Sequence, residues 1–269
     1  GRHTHRHLSP VDDGEPCVML NFRRYGIGEP LVLVHGFVGG SGYWTELMNS
    51  FGRWRDVVAV DLPGFAGSMN GPVQTSISGF GAAVFELLDS LAIDNFSLVG
   101  HSMGGMIAQE MALSRPEAIE RLILYGTTST GDLPGRFETW DETVIRFDGQ
   151  GVSASIDRIA SSWFLSEDAD PAYPMCRSGC EGATLEACIA GLGAIRAWST
   201  KDRIGQLTMP VLVVVGEHDR STPPKESIDL WQALPEARLC ILPGCAHAAH
   251  LEKPRLFDTV LADFLSEAR

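Results

Sequence analysis

Short apolar runs alternate with amphipathic helical patterns along most of the sequence, and this alternation constrains the fold more than any other feature. The runs LVLV at 31–34, VVAVD at 57–61 and VLVVVG at 211–216 are typical of strands buried on both faces. The stretches 77–91 and 225–234 carry apolar residues at helical spacing instead. Because such strands need helices above and below them, the sequence predicts an α/β fold with a mainly parallel central sheet and helices on both faces.

Further elements follow from the same periodicity. The pattern predicts strands over 96–102, 121–126 and 238–242, and helices over 106–116 and 256–265. One turn departs from the alternation, because the strand-like segments 18–25 and 30–37 flank GIGE with no helix between them. This spacing predicts a β-hairpin at the start of the sheet.

The stretch 129–208 contains helical patterns over 152–165 and 184–198 but no convincing strand. A structureless loop of about 80 residues is too long for a compact domain, so we predict a helical cap, or lid, inserted into one core formed by 17–128 and 209–269. Its aromatic residues either pack the core of the insertion or face a ligand. The candidates for the substrate pocket are Trp140, Trp163, Phe164 and Trp198.

The net charge of the chain limits the kinds of molecule that it is expected to bind. The chain has 21 Lys and Arg against 34 Asp and Glu, a formal charge of −13, and no local basic patch. Such a surface repels phosphate backbones and anionic lipid headgroups, so we expect neither nucleic acid nor a membrane as a partner. No apolar run approaches the roughly 20 residues of a membrane-spanning helix, and no secretion signal is visible. We therefore expect a soluble, cytoplasmic protein.

Residues 1–16 contain no apolar run that could form part of a core, and we predict a disordered leader or an expression remnant there. The alternating His3, His5 and His7 could instead suggest metal binding. The six cysteines form no paired CxxC zinc spacing, and no metal site is expected. Cys176 and Cys180 could bridge in an oxidising compartment, although we expect reduced thiols.

The residues Gly100-His101-Ser102-Met103-Gly104 match the G-x-S-x-G nucleophile elbow. The motif lies where a predicted strand ends and a helix begins, a junction that exposes a serine hydroxyl at the edge of the sheet. A serine nucleophile needs a base and a group that orients the base. Asp219 and His247 each follow a later strand, so their loops can open at the same edge as Ser102.

With these motifs in order, the chain resembles the α/β-hydrolase superfamily over about residues 18 to 267, the insertion matching only in position and helical character. The resemblance rests on HGF (35–37), DLPGFAGS (61–68), GHSMGG (100–105), GEHDRSTPP (216–224) and HAAHLEKP (247–254). It implies that Ser102 is the nucleophile, His247 the general base and then acid, and Asp219 the orienting carboxylate. It also implies an oxyanion hole formed by the backbone N–H groups of Phe37 and Met103, with no metal or organic cofactor.

Several neighbouring residues could be proposed for the same roles. His250 is close to His247, but Glu252 and Pro254 stand at the offsets of the family pattern HxxxxExP only when counted from His247. The sequence also offers His101 as a spacer within the elbow, Glu217 as the acid, Asp61 as a loop-fixing carboxylate and Cys245 as a reactive thiol. We expect a structural role for each of these four.

A serine at the elbow disfavours haloalkane dehalogenases and epoxide hydrolases, which use aspartate there. The segment 194–219 and the helix after the elbow are similar to those of enol-lactonases and of C–C hydrolases that cut ring-fission products. We expect a serine hydrolase that cleaves a small, partly apolar carboxylic ester or lactone through an acyl-enzyme on Ser102. Two different functions compete with it: a C–C bond hydrolase, although Gly39 stands where those enzymes typically carry proline, and a hydrolase-like small-molecule receptor.

Overall fold

The computed structural model describes residues 19–267, and the leading segment over residues 1–16, with its histidines, lies outside the described residues. Within the described part, seven strands form one sheet in the order β1-β3-β2-β4-β5-β6-β7. Every pairing is parallel except that of β1 with β3. The strands are β1 Phe22–Tyr25, β2 Glu29–Val34, β3 Arg55–Val60, β4 Phe96–His101, β5 Ile119–Tyr125, β6 Val211–Gly216 and β7 Ala237–Leu242. The predicted α/β class with a mainly parallel sheet is confirmed.

Ten α-helices accompany the sheet in the described residues, and none is long and apolar enough to cross a membrane. They are α1 Thr45–Phe51, α2 Ile77–Ser90, α3 Met103–Ser114, α4 Trp140–Gln150, α5 Val152–Ser161, α6 Tyr173–Gly179, α7 Leu185–Arg196, α8 Pro224–Ala233, α9 Ala249–Glu252 and α10 Pro254–Ser266. Helices α4 to α7 lie between β5 and β6. Hydrophobic spacing predicts neither α1, α4 nor α6, and α4 begins instead at a capping box formed by Thr139 and Glu142.

The predicted hairpin between β1 and β2 is wrong. Strand β2 pairs with β3 on one side and with β4 on the other, so neither of its edges is free for β1. Strand β1 pairs antiparallel with the other edge of β3, with Phe22 opposite Val60. The glycines of GIGE have φ angles of 98° at Gly26 and 142° at Gly28, and a side chain on Gly26 would overlap the carbonyl oxygen of Arg55. The turn therefore crosses the start of β3 rather than closing a hairpin.

Burial follows the position of each strand in the sheet. Every residue of β3, β4 and β6 is buried, whereas the edge strand β7 is half-buried or exposed at every position except Leu242. The carboxyl ends of the parallel strands meet at one edge of the sheet, and the loops that follow β2, β4, β6 and β7 leave from there.

A pair of substitutions tests this layering. Leu98 on the central strand β4 is 0% exposed, and Ile241 on the edge strand β7 is 41% exposed. We expect Leu98→Ala to lower the free energy of unfolding by about 2–5 kcal/mol, because it removes a buried side chain and leaves a cavity. Ile241→Ala is expected to lower the free energy of unfolding, measured by urea denaturation, by less than about 1 kcal/mol. Equal losses from the two variants would contradict the assignment of core and edge.

Candidate active site

Ser102 lies between the end of β4 and the start of α3 with φ 57° and ψ −120°, a left-handed backbone that is strained for a serine. Two hydrogen bonds hold it there. Its N–H donates to the carbonyl of Tyr125 at 2.9 Å, and the hydroxyl of Thr127 donates to its carbonyl at 2.7 Å. A side chain at Gly100 would overlap the carbonyl oxygen of Gly104, so glycine is required beside the serine.

Asp219 follows β6 and His247 follows β7, and the structure brings their side chains together. His247 Nδ1 lies 2.7 Å from Asp219 Oδ2, with 1% of the histidine side chain and 0% of the aspartate side chain exposed. The other carboxylate oxygen accepts the backbone N–H groups of Ser221 at 2.9 Å and Thr222 at 2.8 Å. Because the carboxylate accepts from Nδ1–H, the neutral imidazole has its lone pair on Nε2, the nitrogen required of a general base.

Ser102 and His247 line one cavity of about 30 Å³. Its other lining residues are Phe37, Met103, Met106, Leu133, Arg136, Trp140, Ile159, Trp163, Ile195, Ser221 and Thr222. Four residues singled out from the sequence, Phe37, Met103, Trp140 and Trp163, are therefore at the same place as the serine and the histidine. A cavity of this size holds about one or two water molecules, so its wall must move to admit a substrate.

Trp198 and Phe164, two of the four predicted pocket residues, do not line this cavity. Trp198 Nε1 donates to Glu110 Oε1 on α3 at 2.9 Å, and the Trp198 side chain is 8% exposed. Phe164 is fully buried, with its ring 6.1 Å from that of Tyr173. An aromatic residue in the sequence has no signal that separates a core position from a ligand-facing one, and these two belong to the packing.

The HGF loop packs directly against the elbow, since a side chain on Gly36 would lie 2.9 Å from Ser102 Cβ. The backbone N–H groups of Phe37 and Met103 have no hydrogen-bond acceptor among residues 19–267. Met103 is the first residue of α3, where helix geometry leaves N–H groups unpaired and the helix dipole favours negative charge. This arrangement offers two donors beside the serine.

His101 belongs to a buried chain of hydrogen bonds behind the site. Its Nε2 lies 3.0 Å from the carbonyl oxygen of His247, so Nε2 carries the proton and Nδ1 accepts from the hydroxyl of Tyr43 at 2.9 Å. The Tyr43 oxygen in turn accepts the N–H of Gly36 at 2.9 Å. Burial holds the pKa of His101 well below its usual range, so the ring stays neutral. These hydrogen bonds link the HGF loop to the loop of His247.

His250 is also buried and neutral. Its Nε2 donates to the carbonyl oxygen of Tyr43 at 3.2 Å, and its Nδ1 lies 3.0 Å from the hydroxyl of Tyr125. Burial lowers the pKa of His250 to about 3. Among the buried histidines of the described chain, His247 is the one with a carboxylate within 4 Å.

Glu217, Asp61 and Cys245 have structural contacts instead of catalytic ones. Glu217 is exposed and accepts the N–H of Gly244 at 2.9 Å. Asp61 accepts the N–H of Ser41 at 2.6 Å and so fixes the loop that follows β2. Burial raises the pKa of the Cys245 thiol to about 12, which keeps the sulfur protonated. Within residues 19–267 no cluster of His, Cys, Asp and Glu could hold a metal ion.

Glu252 connects the segment between β5 and β6 to the loop that carries His247. Its two carboxylate oxygens accept the N–H groups of Leu165 at 2.8 Å and Ala246 at 2.6 Å. The N–H of Ala248 donates to the carbonyl of Trp163 at 2.9 Å. The segment between β5 and β6 is therefore hydrogen-bonded directly to the loop that carries His247.

Sequence reasoning missed three polar residues that line the cavity: Arg136, Ser221 and Thr222. Arg136 comes from the irregular stretch between β5 and α4, where no periodicity or motif marks it. Ser221 and Thr222 are within the GEHDRSTPP motif, but only the structure shows that they reach the cavity.

The family model described as the alpha/beta hydrolase fold matches residues 29–254. A relative named "Putative carbamate hydrolase RutD" from Agrobacterium fabrum is 31% identical over 247 residues, 88% of this chain and 93% of the relative. The pimeloyl-[acyl-carrier protein] methyl ester esterase of Nitrosomonas europaea is 28% identical over 255 residues, 88% of this chain and 96% of the relative. The enol-lactonase structure from Burkholderia xenovorans LB400 superposes with a TM-score of 0.84 at 24% identity, covering 92% of this chain and 96% of that one.

Removal of the Tyr43 hydroxyl tests the chain of hydrogen bonds behind the site. Tyr43→Phe leaves the Gly36 N–H and the His101 Nδ1 unpaired in a buried position, so we expect the free energy of unfolding to fall by about 1–3 kcal/mol. Tyr173→Phe is the control, because the Tyr173 hydroxyl has no hydrogen-bond partner among the described residues. The Tyr173→Phe variant is expected to change the free energy of unfolding, measured by chemical denaturation, by less than about 0.5 kcal/mol. Indistinguishable losses would rule out a specific role for the Tyr43 hydroxyl.

The buried neutral His250 predicts a pH dependence of stability. Its pKa is about 3 in the folded protein and about 6.5 in an unfolded chain, so the unfolded state binds more protons between these values. Its contribution is complete above about pH 6.5 and is lost on acidification, at up to about 1.4 kcal/mol per pH unit. His250→Gln retains a donor toward Tyr43 but cannot titrate, so the stability gap between wild type and variant should narrow from pH 7 to pH 4. Parallel curves would show that His250 is not held neutral.

Proposed function

The chain belongs to the α/β-hydrolase family, and from that premise we propose that it cleaves a small carboxylic ester or lactone through an acyl-enzyme on Ser102. One observation carries the proposal: His247, which lies 2.7 Å from the buried carboxylate of Asp219, lines one cavity with a serine held in the strained elbow conformation. The two sequence relatives named above are hydrolases, and together with the family they support hydrolase activity for this chain. The relatives cleave different kinds of bond, and the specificity of this chain for an ester or a lactone is our inference.

In this mechanism Ser102 Oγ attacks the carbonyl carbon of the substrate while His247 Nε2 takes the hydroxyl proton. Asp219 stabilises the imidazolium, and the N–H groups of Phe37 and Met103 stabilise the negative oxygen of the tetrahedral intermediate. The intermediate collapses and releases the alcohol, which receives the proton from His247. Water, deprotonated by His247, then attacks the acyl-enzyme and releases the carboxylic acid, which restores the serine.

We assign residues 129–208 to a helical lid between the core segments 17–128 and 209–269. The lid contributes much of the cavity wall through Leu133, Arg136, Trp140, Ile159, Trp163 and Ile195. The apolar character of this wall suits a partly apolar acyl group. Its hydrogen bonds to the loop of His247 support the view that the lid and the catalytic loops form one unit.

Two experiments address the nucleophile. A fluorophosphonate probe should add its mass to the peptide that contains Ser102, since it reacts with a serine activated by a histidine. Ser102→Ala should abolish labelling and lower kcat for p-nitrophenyl acetate by about 10⁴-fold or more. Ser114→Ala is the matched control: this hydroxyl ends the same helix and donates to the carbonyl of Met111. A folded Ser102→Ala protein with unchanged turnover would refute the mechanism.

A panel of short acyl esters, lactones, carbamates and vinylogous diketones separates the candidate reactions. We expect esters or lactones to have the highest kcat/KM. Carbamates belong in the panel because of the 31% identical relative, and diketones because the alternative function is C–C bond hydrolysis. Repeated turnover distinguishes an enzyme from a hydrolase-like receptor, which would react once or very slowly.

A further inference from the structure

Arg136 introduces a positive charge into a cavity that is otherwise mainly apolar. Its Nη1 is occupied, because it donates to the carbonyl of Glu138 and to the hydroxyl of Thr143, each at 2.8 Å. The rings of Trp140 and Phe137 lie 4.1 and 4.5 Å from the guanidinium carbon. These contacts fix the plane of the group, and the Nε and Nη2 edge has no acceptor among residues 19–267.

No carboxylate among the described residues forms an ion pair with this guanidinium within 4 Å, and the negative charge of Glu138 acts on it only through space. The nearest acidic neighbour in sequence, Glu138, is bound by Arg146 at 2.7 Å, and its other oxygen accepts the hydroxyl of Thr143 at 3.0 Å. Burial lowers the pKa of Arg136 to about 10, so the guanidinium remains charged at neutral pH. A partly desolvated cation that no carboxylate contacts directly is costly, and an anionic ligand would lower that cost.

Ser221 supplies a second, independent indication of a ligand. Its side-chain oxygen is buried and has no hydrogen-bond partner in the described structure, and the residue lines the same cavity. The backbone N–H of Ser221 donates to Asp219 Oδ1 at 2.9 Å, which fixes the residue beside the catalytic carboxylate. A buried hydroxyl without a partner is unusual in a native protein and is explained here by an acceptor that arrives with the substrate.

We propose that Arg136 and Ser221 form a carboxylate subsite, so that the substrate is an ester or lactone that also carries a free carboxylate. This inference rests on the proposed function and specifies its substrate class. The free Nε and Nη2 edge presents two parallel N–H donors, the geometry that a carboxylate accepts in bidentate fashion. The Ser221 hydroxyl donates a further hydrogen bond to the same group or to its neighbour.

Half-esters and diesters of the same diacids give the direct test. The wild-type protein is assayed with the monomethyl and dimethyl esters of the diacids from malonate to adipate. For the best chain length we expect kcat/KM to be about 10- to 100-fold higher for the half-ester, the range of a charge-assisted hydrogen bond. Arg136→Met should abolish this preference, mainly through KM, because it should lower half-ester kcat/KM far more than diester kcat/KM.

Three variants separate recognition from structure. Arg158→Met is the matched control, because Arg158 stacks on the same Phe137 ring at 5.3 Å and does not line the cavity, so it should keep the preference. Arg136→Lys keeps the charge without the two-donor edge and should retain part of the preference. Ser221→Ala should lower half-ester kcat/KM more than diester kcat/KM. Equal losses on both esters in Arg136→Met would assign the arginine to structure and overturn the proposal.

Binding without turnover provides a second readout. The diacids should raise the melting temperature of Ser102→Ala, and adding Arg136→Met should remove the shift. If wild type turns over neutral esters without preferring half-esters and no diacid stabilises Ser102→Ala, the carboxylate subsite is refuted while the proposed hydrolase stands. If Ser102 reacts with no probe and no ester is turned over, the proposed function itself fails. Melting shifts that depend on Arg136 would still support the subsite in that case.

Discussion

The left-handed backbone of Ser102 is the constraint on which the rest of the site depends. Such a conformation costs a non-glycine residue on the order of 1–3 kcal/mol and persists only where the surroundings impose it. Here the N–H of Ser102 is bonded to the carbonyl of Tyr125 on β5, and the close approach of Gly100 and Gly104 leaves no room for side chains. The central sheet therefore supplies the energy that holds the serine at the strand ends, where the loops after β6 and β7 also open.

A second layer of buried polar contacts fixes the loops around that serine. The Tyr43 hydroxyl connects the N–H of Gly36 to the imidazole of His101, whose other nitrogen holds the carbonyl of His247. Each member has a defined donor or acceptor role only while His101 is neutral, and burial keeps it neutral. Because each member of this buried network has a hydrogen-bond partner, the network orients the loop of His247 and the HGF loop relative to each other with little freedom.

The sequence predicts those parts of the structure that local periodicity or a motif determines. Strand β6 is found over the predicted 211–216, and α2 over Ile77–Ser90 against a predicted 77–91. The strand that pairs with β1 depends on which edge of the sheet is still free, and that is a property of the whole sheet. Local sequence does not contain this information, so the predicted hairpin of β1 with β2 was wrong. Ser102, Asp219 and His247 follow from motif order, whereas Arg136 comes from an irregular segment and is recognisable only once the fold brings it to the cavity.

Recognition of an anion has to be reconciled with a chain whose formal charge is −13. Long-range attraction cannot draw a carboxylate to such a surface, so its affinity must come from short-range contacts. In a cavity of about 30 Å³ a charge pair is screened far less than in bulk water, which would strengthen a guanidinium–carboxylate contact as the wall closes. The same exclusion of water would strengthen the Asp219–His247 pair and the hydrogen bonds from the two N–H groups proposed to stabilise the oxyanion. In the proposed enzyme, the closure that selects a carboxylate-bearing substrate therefore also prepares Ser102 to react with it.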